Sequence, residues 1–114
     1  MDNYISREET MIHHDGDYYE LFRTLVTHIM SKYNEKNFNE LHLHLSINDE
    51  VYSFYETIEQ DEEDFLPIHY MVHGFIKSVV TDIVGEDLER FSRREVSEFY
   101  SVENSSVAHL VIVS

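Results

Sequence analysis

Residues 41–58 read LHLHLSINDEVYSFYETI, and this stretch decides the fold. Leu41, Leu43, Leu45 and Ile47 alternate with His42, His44 and Ser46. A period of two places the four aliphatic side chains on one face of a strand and the imidazoles on the other. Asn48-Asp49-Glu50 follows as a short polar turn. Residues 51–58 are rich in β-branched and aromatic side chains, so the stretch predicts a β-hairpin with one buried face.

Working upstream, Tyr18, Leu21, Phe22, Leu25, Val26, Ile29, Met30 and Tyr33 recur with a helical period. Asp15-Gly16-Asp17 supplies a turn and an N-cap carboxylate, and Lys32 and Lys36 suit the negative end of the helix dipole. The spacing predicts a helix over 17–35. Residues 1–14 carry only isolated apolar side chains and read as a loosely attached N-terminal arm.

Downstream, Phe65-Leu66-Pro67 opens a second helix, with Pro67 in its first turn and an apolar stripe of Ile68, Val72, Phe75, Ile76, Val79 and Ile83. Gly85 ends it, and residues 86–92 form an extra helical turn. Residues 95–102 and 107–113 read as a second hairpin across Asn104-Ser105-Ser106. The expectation is one α+β domain over 1–114. It is a two-layer sandwich, a four-stranded antiparallel sheet with two helices on one face, in the order α-β-β-α-β-β. The C-terminal strand runs through Leu110, Val111, Ile112 and Val113 without a polar break. Such a strand is either central or part of a dimer interface.

The 114 residues are 42% hydrophobic, enough for one core, and carry 23 acidic against 8 basic side chains for a net charge of −15. That charge repels nucleic acid and anionic membranes and leaves a basic protein as the expected partner. The absence of cysteine excludes disulfides and thiolate metal sites. No apolar run is long enough to span a bilayer, and MDNYISREET lacks the features of a secretory signal, so a cytoplasmic location is expected. Glycine occurs only at 16, 74 and 85, which cannot build a phosphate-binding loop, and no Gly-x-Ser-x-Gly elbow exists. The chain is therefore expected to bind rather than catalyse, with no cofactor.

Its charge is uneven. Between Lys36 and Lys77 there is no Lys or Arg but nine carboxylates, Glu40, Asp49, Glu50, Glu56, Glu59, Asp61, Glu62, Glu63 and Asp64. Carboxylates on alternate strand residues recur every ~7 Å, comparable with phosphates along a nucleic acid. The sequence thus suggests a stoichiometric inhibitor or nucleic-acid-mimicking decoy of the anti-defence or immunity type. Its target would be a basic DNA- or RNA-handling protein. Asp49, Glu50, Glu56, Glu59, Asp61, Glu62, Glu63 and Asp64 would carry the electrostatics, with Tyr52 and Tyr55 as anchors. Two alternatives accompany this reading. His69 and His73, at i and i+4 on the second helix, have metal-ligand spacing and suggest a divalent-metal module. The apolar C-terminal strand suggests a homodimer in which it pairs with its copy.

Overall fold

The computed structural model describes residues 7–58 and 68–114. Strand β1 (Arg7–Asp17) leads into helix α1 (Tyr18–Glu35), then the hairpin β2 (Glu40–Ile47) and β3 (Glu50–Thr57). Helix α2 (Ile68–Val84), a 3-10 turn at Leu88–Arg90, helix α3 (Arg93–Tyr100) and strand β4 (Glu103–Val113) follow. The four strands form one antiparallel sheet in the order β1-β4-β2-β3, giving an α+β fold.

The alternation in β2 works as expected. Leu41, Leu43, Leu45 and Ile47 are fully buried and join Leu110 and Ile112 of β4, Leu21, Leu25 and Ile29 of α1, and Val72, Ile76 and Val79 of α2 in one core. Each such side chain contributes roughly 1.5–3 kcal/mol through removal of apolar surface from water. Asp17 caps α1 by accepting from the Glu20 amide at 2.8 Å. Gly85 ends α2 in the left-handed region, φ +78°, and its N–H donates to the Thr81 carbonyl at 2.9 Å. A β-carbon is strained there, so Gly85→Ala is expected to lower stability by about 1 kcal/mol in urea denaturation, with an unchanged slope.

Two expectations fail, and the failures are linked. From Arg7 onward the supposed arm is an eleven-residue strand paired with β4 along its whole length, Arg7 opposite Val113 and Asp17 opposite Glu103. Residues 95–102 are not a strand; Arg93–Tyr100 is a helix. Its cause is a capping box: Ser92 accepts from the Glu95 amide at 3.3 Å, and the Glu95 carboxylate accepts from the Ser92 amide at 2.8 Å. The fourth strand is therefore β1, and the observed order is β-α-β-β-α-α-β. Both edges of β4 are hydrogen-bonded, one to β1 and one to β2, so this strand has no edge with which to pair a copy. Pro67 and the opening of the second helix lie outside the described residues.

Candidate partner-binding surface

The β2–β3 turn fixes the position of the first candidate carboxylates. Ile47 pairs with Glu50, and the two residues between them, Asn48 and Asp49, both take left-handed backbone, φ +51° and +67°. Asn and Asp tolerate this conformation better than other L-residues, which is why this dipeptide closes a two-residue hairpin. The turn holds Asp49 at the tip and Glu50 at the root of β3, both exposed.

Strand register then brings other acids to the same end of the sheet. Asp17 stands opposite Glu103 and Asp15 opposite Ser105, while Ser106 pairs with Ile47 beside the turn. Asp82, near the end of α2, is tied to this end by the Tyr52 hydroxyl, which donates to its carboxylate at 3.0 Å. Burial first, then Asp82 and Glu50, push the Tyr52 hydroxyl pKa above its ordinary value. Alpha-2 has no basic residue in its last turn, so its negative dipole end adds to the field.

No Lys or Arg lies on these strand ends, and none of the ion pairs among the described residues involves Asp15, Asp17, Asp49, Glu50, Asp82 or Glu103. The opposite end is different. There Arg7 pairs with Glu9 at 3.1 Å, and Lys32 pairs with Glu8 at 2.7 Å and with Glu35 at 3.8 Å. Carboxylates are partly paired with cations at one end of the sheet and unpaired at the other.

The nine-carboxylate sequence run is thus not one patch. Glu40 pairs with Thr57, a full strand length from the turn, and Glu56 lies beside that end. Tyr52 and Tyr55 point to opposite faces of β3: Tyr52 is half-buried toward α2, whereas Tyr55 is exposed on the far face and donates to Glu40 at 2.7 Å. They cannot anchor one partner together. Glu59, Asp61, Glu62, Glu63 and Asp64 lie outside the described residues. Asp15, Asp17 and Glu103 belong to the acidic end but are scattered in the sequence, and only the β1–β4 pairing unites them with the turn.

The helical histidines sit among aromatic rings. His69 packs on Tyr70 at 4.1 Å between centroids, and His73 lies between Phe22 at 4.8 Å and Tyr100 at 6.4 Å. Among the described residues no group of three or more His, Asp or Glu side chains is placed to hold a metal ion.

Tyr100 itself is 3% exposed, and its hydroxyl has no hydrogen-bond partner among the described residues. Burial, followed by the neighbouring Tyr19, pushes this hydroxyl up to about 12 from 10.0. The folded state therefore holds the proton more tightly than the unfolded state. This contribution is fully present below pH 10 and is lost as pH rises toward 12. Tyr100→Phe removes an unpaired buried donor. It is expected to raise neutral-pH stability by about 1 kcal/mol and to flatten the alkaline loss, read from urea midpoints across that range.

No protein-family model, no curated protein and no solved structure matches this chain. Among the described residues, no helix is long and apolar enough to cross a membrane.

Proposed function

We propose that this chain is a non-enzymatic acidic binding protein. It acts stoichiometrically, seating the acidic end of its sheet in the cationic groove of a protein that handles DNA or RNA. One observation carries the reading: Asp15, Asp17, Asp49, Glu50 and Glu103 lie on separate strand ends at one end of the sheet, Glu50 on its helix-covered side, without a Lys or Arg among them. Strands ~4.8 Å apart, with same-side residues ~7 Å apart along each, give carboxylates a spacing that a phosphate-binding groove accepts. The net charge of −15 steers a basic partner toward the molecule and repels nucleic acid itself. Exposed Val51, next to the turn, offers apolar contact at the rim.

The reading is tested by capture from a lysate of the source cells, washed at low and at high salt. A basic nucleic-acid-binding protein is expected to be retained at low salt and released at high salt, because its attraction is screened. Retention of the same proteins at both salts, or of none, contradicts the proposal.

A further inference from the structure

The face of the sheet turned away from the buried leucines is ordered in rows that register fixes. They run Arg7–Val113–Glu40–Thr57, Glu9–Val111–His42–Tyr55, Met11–His109–His44–Ser53 and His13–Val107–Ser46–Val51, with Asp15–Ser105 beyond. Three of the most exposed large apolar side chains among the described residues lie here: Met11 at 57%, Val51 at 62% and Tyr55 at 57%. Beside them are Val107 and Val113, half-buried. Up to the Asp15 row, one Arg stands against three carboxylates, Glu9, Glu40 and Asp15, so little of the −15 resides on this face. Imidazoles fill the middle: His44 and His109 are register partners with ring centroids 6.0 Å apart, and the His44 ring shares a 2.9 Å hydrogen bond with Ser53.

We infer that this face is the interface of a homodimer. Independently of the acidic-end reading, the occupant is a second copy because the face is complementary to itself. A two-fold axis across the strands, along the row Met11–His109–His44–Ser53, exchanges the rows on either side of it. Arg7 then meets Asp15 of the copy, and Glu9 meets His13. Tyr55 meets Val51, while Val111, only 3% exposed, is already covered within its own chain. Cation opposes carboxylate at both ends of β1, and apolar side chains oppose one another on β3. Asp17 and Glu103 fall one row beyond the overlap, so each copy keeps these carboxylates and the turn residue Asp49 free, while Asp15 and Val51 are shared between the two surfaces.

Four strands ~4.8 Å apart and about eight residues long at ~3.3 Å per residue cover roughly 500 Å² on each copy. The pair buries about 1,000 Å², at the lower bound of specific interfaces, so the dimer is a weak one. Two copies of net charge −15 repel at long range, and added salt screens that repulsion. The dimer therefore tightens as salt rises, whereas capture of a basic partner weakens.

Sedimentation equilibrium of the full chain decides the matter, with circular dichroism to verify folding of each variant. Wild type is expected to dimerise, more tightly at high salt. Arg7→Asp and Asp15→Arg are each expected to weaken the dimer at least tenfold, and the double exchange to restore most of the loss. Met11→Lys is expected to abolish it. A wild-type chain that stays monomeric at the highest concentration and salt overturns the inference. So does a dimer indifferent to Arg7→Asp, Asp15→Arg and Met11→Lys. A monomer in which Met11→Lys abolishes capture of a lysate protein assigns the face to that protein, and equally overturns it. Because salt acts in opposite directions on the two contacts, failure here leaves the acidic-end proposal standing, and the reverse.

Discussion

Replacing Asp49, Glu50 and Glu103 together by lysine is expected to slow association with the captured partner by about 10- to 100-fold at low salt, with a stability loss of about 1 kcal/mol because Asp49 holds left-handed backbone that lysine adopts less readily. Each reversal shifts net charge by two and places a cation where the partner's groove is itself cationic. All three side chains are exposed and none takes part in an ion pair among the described residues, so folding loses no ion pair. Stopped-flow association across a salt series is the measurement. The expected signature is a flatter salt dependence along with a slower rate, and a dissociation rate that changes less. Reversal of three carboxylates elsewhere, such as Glu8, Glu35 and Glu98, alters net charge equally and serves as the control, with circular dichroism to verify that loss of their ion pairs with Lys32 and Arg94 leaves the fold intact. Identical slowing by both sets reduces the effect to overall charge and removes the special status of the acidic end.

Leu43→Ala is expected to destabilise the chain by about 3–4 kcal/mol. Leu43 is fully buried, in the second strand from the β3 edge, opposite Leu110 on one side and Phe54 on the other. Neighbours held from two directions cannot collapse into the space, so both the transfer term and the cavity term are lost. A small domain of total stability about 5–15 kcal/mol loses a large share of it. Urea denaturation should show a lower midpoint at unchanged slope. His44→Ala, one residue along on the exposed face, sacrifices a hydrogen bond to Ser53 and is expected to stay within about 1 kcal/mol. Comparable losses for the two would mean that the sheet is covered on both faces.

Legibility in the sequence followed the strength of the local signal. The hairpin at 41–57 was readable because one face is buried and the other open, which imposes strict alternation on Leu41 to Ile47. Alpha-1 was readable because its stripe and its Asp17 cap agree. Strand β1 was not, because an edge strand half-covered on one side needs few apolar residues, and only Ile12 packs against the core. Residues 95–102 deceived because Val96, Phe99 and Tyr100 suit either structure; the Ser92–Glu95 capping box, visible in the sequence, was the deciding signal. These two errors also hid part of the site. With β1 taken for an arm, nothing placed Asp15 and Asp17 beside Glu103, and nothing brought that cluster to the Asn48–Asp49 turn. Charge runs along a chain, but patches form across strands, and only register converts one into the other.

The acidic end is proposed to occupy a groove made for phosphate. The most direct measurement adds this protein to a complex of the captured partner with fluorescently labelled nucleic acid and follows anisotropy. Release of the nucleic acid at one equivalent, abolished by the Asp49, Glu50 and Glu103 reversals, is the predicted result. Nucleic acid and protein bound together on the same partner, with anisotropy undiminished, would contradict it.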